Sequence, residues 1–162
     1  MNVFVSKSKL HGKGIFALKD IKKGQFIQHI KGNIKIFIPS NKKESISYPN
    51  WVGVGKNKWI DPKYPNLYLN HSCNPIAGIK GKVIMVALRD IKKGEEITID
   101  YSIIEGDDRW EMRCHCGARN CRKIIRSVQF LPKRQYQKYL PWVPTYFQKL
   151  HDTYNYSQLK HG

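Results

Sequence analysis

Four cysteines, and the places where they stand, constrain this chain more than any other feature. Three form Cys114-x-Cys116-x4-Cys121, and the fourth lies far upstream in Asn70-His71-Ser72-Cys73-Asn74-Pro75. In extended backbone residues i and i+2 point to the same side, so Cys114 and Cys116 can face one ion. Gly117 lets the chain fold back and present Cys121. Structural zinc takes four ligands, and Cys73 is the only thiol left to complete the set. His115 competes, but between two cysteines it points the other way. The pattern predicts Zn2+ held by Cys73, Cys114, Cys116 and Cys121, and a fold that brings residues 70–75 against 114–121.

The stretch around Cys73 is dense in chemistry, with an amide, an imidazole, a hydroxyl and a thiol in sequence. Leu67-Tyr68-Leu69 leads into it from the core, and Asn74-Pro75 closes it with a turn. Elsewhere the signals are mostly β. Val3 and Val5 open a strand, and Ile34, Ile36 and Ile38 alternate as a strand should. Pro39–Ser45 reads as a polar loop, and Ile60-Asp61-Pro62 as a turn. Ala17-Leu18-Lys19-Asp20-Ile21-Lys22-Lys23-Gly24 nearly recurs as Ala87-Leu88-Arg89-Asp90-Ile91-Lys92-Lys93-Gly94. That repeat predicts two similar hairpins rather than a solenoid. Helical spacing emerges only after residue 128, with Tyr136, Tyr139 and Leu140, then Tyr146, Phe147, Leu150 and Tyr154. These aromatics read as packing residues.

At 162 residues the chain is long enough for one domain with a real core. No apolar run reaches membrane-spanning length and no signal-peptide pattern opens the chain. A reducing compartment, cytoplasmic or nuclear, is expected, where clustered cysteines bind metal rather than pair. The formal charge is +17, with 22 lysines to 7 arginines. A solvated surface accounts for much of this, and an acidic partner such as nucleic acid is the sharper alternative.

Four motifs together resemble the SET-domain protein lysine methyltransferases with a zinc-binding post-SET segment. They are Gly12-Lys13-Gly14 with Phe16-Ala17, Asn70 to Pro75, Gly94-Glu95-Glu96-Ile97-Thr98-Ile99-Asp100-Tyr101, and the cysteine cluster. The resemblance covers about residues 1–125. It implies a mostly β fold of small, β-clip-like sheets around a knot-like core, with a short helical C-terminal extension. The expected divisions are 1–109 for the SET core, 110–125 for the zinc segment and 126–162 for the extension.

The resemblance also implies S-adenosylmethionine on one face and a lysine entering by a narrow channel from the other. Backbone at Lys13, Gly14 and Ile15, together with Asn70, His71, Tyr101 and Met112, would bind the cofactor. Tyr101 would be catalytic and Tyr48 a second channel tyrosine. Ile99, where the family commonly has Tyr or Phe, would set the number of methyl groups, unless Tyr48 limits the channel instead. The expected partner is a protein carrying a target lysine, a histone or another basic protein, with the chain a monomer or homodimer. Two rival readings follow from the same residues: a catalytically silent, zinc-stabilised basic module for nucleic acid or a protein partner, and a scaffold acting through its aromatic C-terminal segment.

Overall fold

The protein is described by a computed structural model covering residues 2–46 and 50–161, with the side chains of 159–161 outside the description. Twelve short strands are described. They are β1 (Val3–Lys7), β2 (Lys13–Ala17), β3 (Phe26–His29), β4 (Gly32–Ile36), β5 (Val52–Gly55), β6 (Lys58–Pro62), β7 (Asn70–His71), β8 (Ala77–Lys80), β9 (Ile84–Ala87), β10 (Glu96–Ile99), β11 (Glu111–Arg113) and β12 (Ile124–Arg126). They form sheets in the orders β1-β2-β10-β7, β3-β9-β8, β4-β6-β5 and β11-β12. Three helices are described: α1 (Lys42–Ser45), α2 (Lys133–Tyr139) and α3 (Thr145–His161). The mostly β architecture with a helical C-terminus matches the expectation.

The repeated segment does something other than make two hairpins. Each copy carries the chain between sheets, 17–24 from β2 to β3 and 87–94 from β9 to β10, and the two copies pair with each other. Ile21 and Ile91, both buried, exchange N–H···O bonds of 2.9 and 2.8 Å. Asp20 accepts from the Lys93 N–H and from Lys92 Nζ, and Asp90 accepts from the Lys23 N–H and from Lys22 Nζ, all at 2.9 Å. Gly24 and Gly94 turn the chain at φ +78° and +83°, left-handed backbone that glycine adopts without steric cost. The lysine ends of these pairs are about 70% exposed (71% and 72%), so the buried isoleucines and backbone bonds hold the clasp more than the charges do. The turn chemistry was readable locally. The partner of each strand was not, because β2 pairs with β10 and β3 with β9.

Three smaller expectations change. Residues 42–45 are a helical turn, because Asn41 caps the Glu44 N–H at 3.1 Å and Glu44 reaches back to the Ser40 N–H at 2.8 Å. Residues 60–62 continue β6 against β4 instead of turning. Ile34 and Ile36 do alternate in β4, but on an edge strand that leaves them exposed, with Ile38 beyond it exposed too. Among the described residues the larger of two buried clusters runs from Val3 to Phe147, so α2 and α3 share the core of the sheets, and the smaller holds Cys73, Cys114 and Ile125. Tyr136 stacks on His151 at 3.6 Å, joining the two helices.

Candidate active site

Strand β10 lies between β2 and β7, antiparallel to the first and parallel to the second. It sets Thr98 beside Asn70 and Ile99 beside His71. At its end the chain enters a 3-10 turn at Tyr101, and the Tyr101 hydroxyl donates to the Leu69 carbonyl at 2.6 Å. The motifs at 70–75 and 94–101 are thus locked at both backbone and side chain. Burial pushes the Tyr101 pKa above its ordinary value, so the phenol is neutral at any working pH.

Two cavities meet at Tyr101. One, of about 180 Å3, is walled by Leu69, Ile99, Ile104, Trp51 and Trp110, with Glu105 and Glu111 as its carboxylates. The other, of about 330 Å3, is lined by Leu10, His11, Asn70, His71, Arg113 and the cysteine segment. Asn50, Tyr101 and Met112 belong to both. Of the expected cofactor residues, Asn70, His71, Tyr101 and Met112 line the larger cavity, whereas Lys13, Gly14 and Ile15 stand behind it. The Lys13 carbonyl accepts from the Asn70 amide at 3.0 Å, and Ile15 is fully buried. A methyl at Gly14 would collide with the Glu96 carboxylate, which also accepts from Asn70 at 2.8 Å. Gly14 therefore makes room for Glu96, a polar anchor the sequence reading missed although it lies within a quoted motif. Ile99 lines the smaller cavity beside Tyr101. Tyr48 lies outside the described residues.

Three of the four expected ligands, Cys73, Cys114 and Cys116, come together, and the fourth donor beside them is His71 rather than Cys121. His71, Cys73, Cys114 and Cys116 place their donor atoms within 4.8 Å of one another, while Cys121 Sγ lies 3.5 Å from the Cys114 carbonyl oxygen. The surroundings act on the thiols in opposite senses: burial pushes the Cys73 and Cys114 thiols up, whereas N–H groups favour the thiolate at Cys116. The Cys73 N–H points to Cys116 Sγ and the Arg122 N–H to Cys73 Sγ, both at 3.4 Å. Burial alone would raise the Cys116 pKa, but the Cys73 and Ala118 N–H groups and the adjacent thiols bring it down to about 7. His71 is distinguished from a ligand by its hydrogen bonds. Burial lowers its pKa to about 4, so the ring is neutral. Its Nδ1 accepts the Tyr101 N–H at 3.1 Å, which leaves the proton on Nε2, 3.3 Å from Cys73 Sγ. That nitrogen donates to the sulfur, as second partners of metal-bound thiolates do, and has no lone pair for a metal.

Behind the site lies a buried polar network that sequence reading did not find. Asp100, fully buried, accepts from Arg122 Nη2 at 2.6 Å, the Ser102 N–H at 3.1 Å and the Tyr139 hydroxyl at 2.9 Å. The Cys73 carbonyl accepts from Gln135 Nε2 at 2.6 Å and Asn120 Nδ2 at 2.9 Å. Its sequence signal was the i, i+4 spacing of Gln135 and Tyr139, which puts both on one face of α2.

A family profile described as SET domain matches residues 12–102, more than half of the chain. The chain belongs to the SET domain family. Among curated SET relatives, human histone-lysine N-methyltransferase 2D is 34% identical over 137 residues, covering 75% of this chain. The chain spans only 2% of that relative's length. Among solved SET structures, KRYPTONITE in complex with mCHH DNA, an H3(1–15) peptide and SAH superposes with a TM-score of 0.58 at 22% identity, covering 76% of this chain and 29% of that one. An autoinhibited ctPRC2 bound to S-adenosylmethionine gives 0.52 at 22%, over 63% and 15%. At those identities the superpositions establish the SET fold alone.

Proposed function

We propose that this SET domain is a protein-lysine N-methyltransferase using S-adenosylmethionine. The observation that carries this reading is the meeting of two cavities at Tyr101, one lined by aliphatic side chains with Glu105 and Glu111, the other by Asn70, His71 and the cysteine segment. The names of the relatives support it, as does the presence of S-adenosylmethionine or its product in the two solved neighbours. The expected substrate is a lysine of a histone or another basic protein, and the expected setting is cytoplasmic or nuclear. The chain would act as a monomer or homodimer.

In this reading Asn70, His71 and Met112 hold the cofactor, with Lys13, Gly14 and Ile15 supporting Asn70 from behind. When bound, S-adenosylmethionine supplies an electrophilic methyl group on a sulfonium. The residues of the chain align the acceptor. Glu105, with Oε1 held by the Gly106 and Asp107 N–H groups at 2.7 and 2.9 Å, draws a lysine ammonium into the smaller cavity. The apolar wall of Leu69, Ile99 and Ile104 disfavours the ammonium and opposes the pull of Glu105, so the lysine gives its proton to solvent before it packs against that wall. The proton of the Tyr101 hydroxyl is engaged by Leu69 O, so its oxygen is left to accept from the amine and aim the nitrogen lone pair. Alignment of this kind supplies most of what an in-line displacement requires. Ile99, smaller than a ring and without a hydroxyl, leaves space for a second and third methyl.

Cys73, Cys114, Cys116 and Cys121 would hold zinc as a closed structural site. His71 would sit in the next layer, linking the metal to Tyr101. Incubating the chain with radiolabelled S-adenosylmethionine and a panel of histones and other basic proteins tests the reading. Labelled lysine is expected, and cofactor binding without transfer to any of them would count against it.

A further inference from the structure

Charge is segregated along this chain in a way that methyl transfer does not require. Between Glu95 and Glu111 lie seven of the twelve acidic residues, Glu105 and Glu111 among them at the smaller cavity. From Met112 to His151 there is no Asp or Glu at all. Five of the seven arginines fall between Arg113 and Arg134, in a protein that elsewhere uses lysine. A general bias toward lysine would act on every part of the chain, so this run is a local departure from it. Arginine differs from lysine in offering a planar fork of donors that matches phosphate oxygens.

The fold makes one face of this run. The loop 119–123 and helix α2 dock side by side on the same two buried acceptors. Asn120 and Gln135 both bond the Cys73 carbonyl, and Arg122 and Tyr139 both bond the Asp100 carboxylate. Inward-facing Gln135 and Tyr139 leave Arg134 and Lys138, also four apart, together on the exposed side of α2. Arg119 and Lys123 flank the docked residues of the loop and are exposed too. Arg122 is consumed by Asp100, and Arg126 lies over the Phe130 ring at 3.5 Å. A tetrathiolate zinc centre would offset about two positive charges, fewer than the face carries.

We infer that the face formed by loop 119–123 and α2 docks the phosphate backbone of nucleic acid, through Arg119, Lys123, Arg134 and Lys138, independently of sequence. None of the four lines either cavity, which lets such docking coexist with a bound protein substrate. The inference does not depend on catalysis, so its test reads binding alone. Anisotropy of a fluorescein-labelled DNA duplex is followed with the zinc-loaded full chain across salt concentrations. Binding should weaken steeply with salt. Combined Arg119→Gln, Lys123→Gln, Arg134→Gln and Lys138→Gln should raise Kd at least tenfold and flatten the log–log salt slope by about three to four. The equal-charge control, Lys19→Gln, Lys31→Gln, Lys56→Gln and Lys82→Gln, also at exposed sites, should change Kd by no more than about threefold. Zinc content and circular dichroism confirm that both variants are folded. Equal losses in the two variants would overturn the inference, as would no binding at low salt, or a labelled polyglutamate peptide binding the same face as tightly as DNA.

Discussion

Glu105 is the residue whose role changes most once the chain is folded. In sequence it is one acid among several after Tyr101, whereas in the fold it is 5% exposed and lines the cavity beside Ile99 and Tyr101. Glu105→Gln should raise KM for a lysine substrate about tenfold or more, with a smaller change in kcat, since a hydrogen bond to a charged group contributes roughly 1.5–3 kcal/mol. An unchanged KM would remove it from substrate binding. Ile99→Tyr should shift the products toward monomethyl-lysine, because a hydroxyl in that wall occupies space a second methyl needs. Mass spectrometry at long incubation decides it, and a wild-type product that stalls at one methyl contradicts the idea. The residues legible beforehand, Asn70, His71, Ile99 and Tyr101, stand in motifs whose order carries meaning. Glu96, Asp100 and Glu105 were not singled out, because their roles come from what folds onto them: Gly14 and Asn70, α2, and the backbone at 106–107.

Among the elements, α2 does more than cover the core. Its Tyr139 hydroxyl and the Arg122 guanidinium share Asp100, whose backbone leads directly into Tyr101. Tyr139→Phe leaves a buried carboxylate oxygen short of a donor, which costs about 1–3 kcal/mol. Denaturant unfolding should show that loss, while zinc content stays normal. No loss of stability would mean that Arg122 and Ser102 satisfy Asp100 without α2. Strand β10 and the two repeated crossovers show where sequence reading stops. Lys-Gly turns are local and were legible, but the pairing of Ile21 with Ile91 is a contact between distant segments that turn chemistry does not encode. Likewise the alternation of Ile34 and Ile36 gave the strand without its orientation, since an edge strand leaves both residues to solvent.

At the scale of the molecule, a small buried cluster with Cys73 and Cys114 ties the segment after β10 to the motif before β8, and Tyr101 packs against both it and the main core shared with the C-terminal helices. We propose that a metal held by the cysteines would order residues 110–125, of which 112–116 line the larger cavity. Cys121→Ser should then lower bound zinc well below one ion per chain and weaken S-adenosylmethionine binding together with it. Full zinc in that variant, lost only in His71→Gln, would make His71 the fourth ligand. The central claim is that Tyr101 aligns an amine at the junction of the two cavities. The most direct test pairs cofactor affinity with single-turnover methyl transfer in wild type and Tyr101→Phe, using a substrate lysine identified by mass spectrometry. The account predicts near-normal affinity and a rate lower by about two orders of magnitude or more. Near-normal transfer by Tyr101→Phe would contradict it.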